Sequence, residues 1–310
     1  MLRIVLIAAL VGVSLSAQKD LPRTPDGRPD FQGLWLNNTA TPLERPAAFA
    51  GKPSMTDAEA EAWIKRYQLD RTAAASHVDP AFELEVAGDL DTYEPGRLLP
   101  GNRTSIITDP ADGRLPALTP GAQRRLNERN AHVRDYYAQN PEDFTFAERC
   151  IIVANTSAPP MMPAYYNNTL RIVQTRNHVV FESEMIHDVR IVPMNGRAHL
   201  PAAIRQWKGD SVGRWDGDTL VIETTNFTDK TTLRGSGPAL RVVERLALSG
   251  QDTLEYRFTI EDPESFVRPW SAESVMTRTN DRMFEYACHE GNQSLPMMMR
   301  GARLEESTKN

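Results

Sequence analysis

Residues 184–227 decide the fold prediction, and they read EMIHDVRIVPMNGRAHLPAAIRQWKGDSVGRWDGDTLVIETTNF. Charged and aromatic residues alternate there with short apolar runs. Asp216 and Gly217 lie between two extended segments, and an Asp-Gly pair readily adopts the positive φ angles of a type I′ turn. This part of the chain is therefore predicted to form an antiparallel β-hairpin.

The same alternation of apolar runs and turn sequences continues from residue 168 to residue 290. Regular spacing of short strands is typical of an antiparallel barrel or sandwich, and we predict a mainly β fold with an antiparallel barrel of about 8–9 strands. The barrel core is assigned to residues 165–306. Within it, residues 283–290 are predicted to form the last strand.

The N-terminus has the features of a signal peptide. A short basic start containing Arg3 precedes an apolar run over residues 4–13, and small residues follow up to Ala17. The apolar run is too short to span a bilayer, which takes about 20 residues. Residues 1–17 therefore predict export to the periplasm or the medium without a stable membrane anchor, with an uncleaved anchor as the alternative.

A proline-rich segment, residues 18–164, is predicted to wrap around the barrel and to carry two helices. Thr56 and Glu59 form a capping box at the start of the first helix, and Thr119 is the expected N-cap of the second. Near the start of this wrap, Gly33 and Trp35 form a Gly-x-Trp pattern that resembles the first strand of lipocalin-type barrels.

The two cysteines, Cys150 and Cys288, have three possible states. In an exported protein they are expected to form a disulfide, because the compartment is oxidising. A free thiol pair and a nucleophilic cysteine are the alternatives. A bridge would join the end of the wrap to the end of the predicted barrel.

Charge and motif content limit the classes of ligand. The net charge of −6 argues against a general polyanion binder, because nucleic-acid sites are basic. No phosphate-binding loop or dinucleotide fingerprint occurs in the sequence, so no cofactor is predicted. A metal held by histidines and carboxylates is a minor alternative, and no metal site is assigned. The oligomeric state is not predicted.

Strand alternation is cleanest over residues 253–261, where Leu254, Tyr256, Phe258 and Ile260 form one apolar face that is predicted to point inward.

Strand alternation also identifies two ionisable residues on apolar faces. Glu244 shares a predicted face with Val242 and Leu246, and His187 shares one with Val189 and Ile191. A carboxylate on an apolar face costs several kcal/mol unless it is paired. We therefore predict that Glu244 pairs with His187 or with an arginine such as Arg205, Arg214 or Arg241. The alternatives are a structural ion pair, a one-residue bulge that turns Glu244 outward, or a satisfied core histidine.

These residues give a candidate site at the barrel mouth. The predicted catalytic residues are His187, Glu244 and His199, with His187 as the general acid or base. The predicted substrate-binding residues are Arg205, Arg214, Trp215, Tyr166, Asn168 and Glu223. The chemistry would be elimination, hydration or hydrolysis of a small organic molecule. A non-catalytic carrier of apolar or aromatic ligands is the alternative, and a structural envelope protein without a pocket is a third.

Several long motifs also carry a family resemblance. The segments EMIHDVRIVPMNGRAHLP, GRWDGDTLVIETTNF and EYACHEGN resemble those of a family of exported proteins from soil and aquatic bacteria, over about residues 150–306. The resemblance implies a lipocalin-like, calycin-type β-barrel. It brings no reaction and no catalytic residue with it.

Overall fold

The structure is a computed structural model. It describes residues 21–75, 96–136, 138–152, 158–164, 166–230, 233 and 235–309. The predicted signal peptide lies outside these ranges. Among the residues that are described, no helix combines the length and apolar character needed to cross a membrane.

One large antiparallel sheet dominates the molecule. Its strands are β1 (Gly33–Leu36), β2 (Ile107–Asp109), β3 (Thr169–Gln174), β4 (His178–Ser183), β5 (Val189–Pro193), β6 (Asp210–Asp216), β7 (Thr219–Thr225), β8 (Arg241–Leu248), β9 (Thr253–Glu261) and β10 (Trp270–Thr279). They are hydrogen-bonded in the order β5-β4-β3-β1-β10-β9-β8-β7-β6, and β2 also pairs with β10. The prediction of a mainly β, antiparallel fold is confirmed.

The hydrogen-bonded order begins at β5 and ends at β6, and these two strands do not pair, so the sheet is not closed. They nevertheless face each other along a line that we call the seam. The space next to Gly213 on β6 is occupied by Met194 and Val192 from the β5 side. Lys208 Nζ donates to the carbonyl oxygen of Val189 at 2.8 Å. Side chains therefore bring the two ends of the sheet together.

The interior of the curled sheet is formed by residues that alternate along each strand. On β9 the predicted apolar face, Leu254, Tyr256, Phe258 and Ile260, is buried as expected. Burying side chains of this size stabilises the fold by about 1.5–3 kcal/mol each. This regular face places the Tyr256 hydroxyl in the core, where it needs a hydrogen-bond partner.

Strand β5 shows the opposite face from the one predicted. Val189 and Ile191 are exposed, whereas Arg190 and Val192 are buried. A short 3-10 turn precedes the strand, and His187 within it has a φ of 55°. His187, Val189 and Ile191 are all exposed, so alternation grouped these three side chains correctly but assigned the wrong side of the strand to the core.

The wrap carries the two predicted helices, α1 (Asp57–Ala75) and α2 (Pro120–Tyr136). It also supplies strand β1, which lies between β3 and β10 in the sheet. The predicted last strand at residues 283–290 is wrong, because this segment is irregular and leads into a helix, α3 (Ser294–Lys309). Strand β10 already pairs with β9 on one edge and with β1 and β2 on the other, which leaves it no edge for a further strand.

The predicted disulfide between Cys150 and Cys288 is present, with the two Cα atoms 5.8 Å apart. It connects the wrap to the irregular segment after β10. The bridge thus joins parts of the chain that are 138 residues apart in sequence.

Candidate functional site

A buried ion pair crosses the interior of the sheet. The Arg190 Nη1 and Nη2 atoms lie 2.6 and 3.0 Å from the two carboxylate oxygens of Glu244, and Glu244 is 0% exposed. The Tyr256 hydroxyl donates to the same carboxylate at 2.7 Å. Three donor groups therefore satisfy a charge that would otherwise be costly to bury.

The surroundings fix the charge states of Arg190 and Tyr256. Burial disfavours the charged guanidinium, but the Glu244 carboxylate outweighs this effect and raises the pKa of Arg190. Burial, and then the charge of Glu244, raise the pKa of Tyr256 well above its usual value. The phenol is therefore protonated at neutral pH and donates its hydrogen to Glu244.

His187 does not join this network. Its side chain is 49% exposed, and its Nε2 atom lies 3.3 Å from Glu182 Oε1. The predicted contact between His187 and Glu244 is wrong, because the turn before β5 directs His187 away from the core while Arg190 enters it. Glu244 does pair with an arginine, but that arginine is Arg190 and none of the predicted candidates Arg205, Arg214 and Arg241.

Two other predicted residues, His199 and Glu223, do come together at the seam. His199 Nδ1 lies 3.0 Å from Asp210 Oδ2, and His199 Nε2 lies 3.3 Å from Glu223 Oε1. Arg197 binds both oxygens of Asp210. Burial raises the pKa of Asp210, but donation from Arg197, Leu200 N–H and His199 lowers it further than burial raises it. Ion pairs and hydrogen bonds to Asp210 therefore fix the position of the loop before β6.

The remaining predicted binding residues are dispersed. Arg205 donates to the carbonyl oxygens of Phe227 and Pro238, and Arg214 is exposed on β6. Trp215 packs against Phe31, with their ring centroids 5.6 Å apart. Tyr166 is 47% exposed, whereas Asn168 is buried and donates to Ala164 O at 3.0 Å. The structure does not assemble them into one pocket.

A cleft of about 290 Å³ lies within the wrap, between α1 and the irregular segments around it. We call it the wrap cleft, and its lining residues are Thr39, Ala40, Thr41, Pro42, Leu43, Trp63, Tyr67, Ile106, Met162, Pro163 and Ala164. Trp63 and Tyr67 come from one face of α1, four residues apart, so both rings point toward the same cleft. None of the lining side chains carries a charge.

Sequence reasoning missed Arg190, Tyr256 and the wrap cleft. Tyr256 was placed correctly on the inward face of β9, and a phenol on that face is a signal for a polar partner in the core. Arg190 alternates with Val192, which equally suggests an inward face. The cleft has no periodic signature, because most of its lining comes from irregular segments.

The described ranges contain no group of three or more His, Cys, Asp or Glu side chains arranged to hold a metal ion. His199 has carboxylates on both sides, but Arg197 and Arg241 already occupy those carboxylates. The cluster is therefore organised as an ion-pair network.

Comparisons with known proteins give little further information. No protein-family model matches the chain, and no curated protein matches it. Among solved structures, the chain is similar to a crystal structure of a mutant of the fluorescent protein UnaG, with 12% sequence identity and a TM-score of 0.24. The match covers 44% of this chain and 86% of the other.

Proposed function

We propose that the protein binds a small, uncharged and largely apolar organic molecule in the wrap cleft. The observation that carries this proposal is the cleft itself, with a volume of about 290 Å³ beside two aromatic side chains. Small-molecule sites are typically concave, lined mostly by apolar and aromatic groups, and roughly 300–1,000 Å³ in volume. At about 290 Å³ the wrap cleft lies just below this range, which favours a compact ligand.

The lining also favours an uncharged ligand. Leu43, Ile106 and Met162 are apolar, and the main polar groups already bond within the protein. Trp63 Nε1 donates to Ala40 O at 2.9 Å, and Thr39 Oγ1 donates to Arg97 O at 2.7 Å. A charged ligand would lose its hydration without gaining an opposite charge from the lining, which is costly.

Acid–base catalysis is not part of the proposal. It required His187 beside Glu244, and Glu244 instead neutralises Arg190 in the core. The carrier alternative from the sequence is the function that the described geometry supports better. A structural role without a ligand is the outcome if the binding test fails.

The test uses two related fluorescent probes and the purified, oxidised protein. N-phenylnaphthylamine is neutral and aromatic, and anilinonaphthalene sulfonate has the same aromatic skeleton with an added negative charge. We expect saturable binding of the neutral probe and at least tenfold weaker binding of the sulfonate, because no lining cation compensates its charge. Equal affinity for both probes would argue against an uncharged ligand.

A cleft-filling variant tests whether the probe binds in the wrap cleft. Met162→Trp is expected to weaken binding of N-phenylnaphthylamine at least tenfold by occupying the space. Val173→Trp is the matched control, because Val173 is exposed on the outer face of β3. Circular dichroism establishes that both variants are folded. Unchanged binding by Met162→Trp would refute the proposed site.

A further inference from the structure

One wall of the wrap cleft is an irregular segment whose backbone is hydrogen-bonded to side chains, including one in the interior of the curled sheet. Residues 161–164, which we call the cleft wall, include Met162, Pro163 and Ala164 of the lining. No strand or helix fixes this segment. Its position therefore depends on the side chains that bond to its backbone.

The first of these side chains is Tyr256. The backbone N–H of Met161 donates to Tyr256 Oη at 2.8 Å, and the same hydroxyl donates to Glu244 at 2.7 Å. Glu244 is held in turn by Arg190. A continuous chain of hydrogen bonds thus connects the buried ion pair to the start of the cleft wall.

Two asparagines also hold the cleft wall: Asn168 at the Ala164 end, and Asn37 at both ends. Asn168 Nδ2 donates to Ala164 O at 3.0 Å, and Asn37 O accepts from Ala164 N at 3.1 Å. The Asn37 side chain donates to the carbonyl oxygens of Met161 and Met162 at 3.3 Å each. These contacts are buried or half-buried, where water competes little for them.

We infer that Tyr256 and Asn168 are positioning residues for ligand binding: they fix the two ends of the cleft wall and thereby set the shape and affinity of the wrap cleft. This inference rests on the proposed function. Neither side chain lines the cleft. The Tyr256 ring packs in the apolar core as a phenylalanine would, so its hydroxyl is what the cleft wall requires.

The residue opposite Tyr256 provides a matched control. Ser274 on β10 pairs directly with Tyr256 and is also 0% exposed. In the part of the chain that the structure describes, Ser274 Oγ has no hydrogen-bond partner. Removing this hydroxyl changes the same layer of the core without releasing the cleft wall.

The experiment compares Tyr256→Phe and Ser274→Ala with the unmodified protein. We expect Tyr256→Phe to raise the Kd of N-phenylnaphthylamine about threefold to tenfold, which is the effect of one net hydrogen bond. The Met161 amide should also exchange its hydrogen faster. Ser274→Ala should change neither quantity. A purely structural role would lower the melting temperature of Tyr256→Phe but leave the Kd of the folded protein unchanged.

The outcomes separate this inference from the proposed function. If the unmodified protein does not bind the probe, the proposed function fails and the inference fails with it. If the unmodified protein binds and Tyr256→Phe binds equally well, the inference alone is overturned. If Tyr256→Phe does not fold, Asn168→Ser tests the other end of the cleft wall, where unchanged affinity overturns the inference and a similar loss supports it.

Discussion

Arg190 and Glu244 meet inside the curled sheet although they lie on strands β5 and β8, 54 residues apart in sequence. Their two hydrogen bonds make a bidentate pair that is almost completely removed from solvent. Such a pair contributes little net stability compared with apolar residues, but losing one partner leaves an uncompensated charge. The pair is therefore a point at which a single substitution has a large effect.

We expect Glu244→Gln to lower the free energy of unfolding by about 3–5 kcal/mol, because Arg190 is left charged and buried. Urea denaturation measures this quantity. The double variant Glu244→Leu with Arg190→Met should recover most of the loss. Asp216→Asn, which removes an exposed partner of Arg245, is the control and should have a much smaller effect. A small effect of Glu244→Gln would show that water reaches the pair.

Acid should loosen the start of α1 through Glu59. Hydrogen bonds from Lys52 and from the Thr56 backbone and hydroxyl lower the pKa of Glu59 from 4.5 to about 2. Because the folded pKa is the lower one, the stabilisation is complete above pH 4.5 and is lost as the pH falls toward 2. Circular dichroism should show helix loss in this range.

A variant separates this effect from general acid unfolding. Glu59→Gln should show the loosened helix start already at neutral pH and should respond less to acid. Glu61→Gln, at an exposed position of the same helix, is the matched control. If both variants have identical acid profiles, the capping box does not control this transition.

Reduction of the disulfide should release the C-terminal segment and leave the sheet folded. Residues 281–309 form no strand and are mostly exposed, and Cys288 ties them to Cys150 in the wrap. Replacing both cysteines with serine should make this segment sensitive to protease and lower the stability by about 2–5 kcal/mol. Limited proteolysis followed by mass spectrometry locates the cut. Cleavage within the strands of the sheet would contradict this expectation.

Gly96 should be required for the shape of the wrap cleft. A Cβ atom at Gly96 would lie 2.9 Å from the backbone of both Thr39 and Ala40, which line the cleft. Backbone atoms cannot move as cheaply as a flexible side chain, and overpacking of this kind costs about 1–3 kcal/mol. Gly96→Ala should therefore weaken probe binding. Gly237→Ala, where nothing lies within 4 Å of the added atom, should not.

The sequence predicts those parts of the fold in which a local residue pattern is compatible with one local structure only. Strand β9 alternates cleanly between apolar and polar residues, so its inward face was unambiguous. The predicted hairpin of β6 and β7 is confirmed, but its two-residue turn is Gly217–Asp218 and not Asp216–Gly217, because Asp216 still pairs with Thr219. Such elements need no information about distant partners.

Other predictions failed because they depend on contacts between distant strands. Strand β5 has apolar residues on both faces, and only the position of Glu244 across the interior selects the face that carries Arg190. Residues 283–290 alternate like a strand, but the edges of β10 are already occupied. The wrap cleft combines irregular segments that carry no periodic signal.

The seam differs from the rest of the curled sheet in the kind of contact that joins its two strands. Elsewhere neighbouring strands are joined by backbone pairing, whereas β5 and β6 meet only through side chains. Val192 and Met194 pack beside Gly213, and ion pairs of Lys208 with Asp188 and of Arg197 with Asp210 lie at the ends of the two strands. Ion pairs at partly exposed positions weaken as dissolved salt screens them, but backbone ladders do not. A high salt concentration should therefore weaken the contact between β5 and β6 while the rest of the sheet stays paired. The ionic strength of the medium would then set how readily the curled sheet opens along the seam without unfolding.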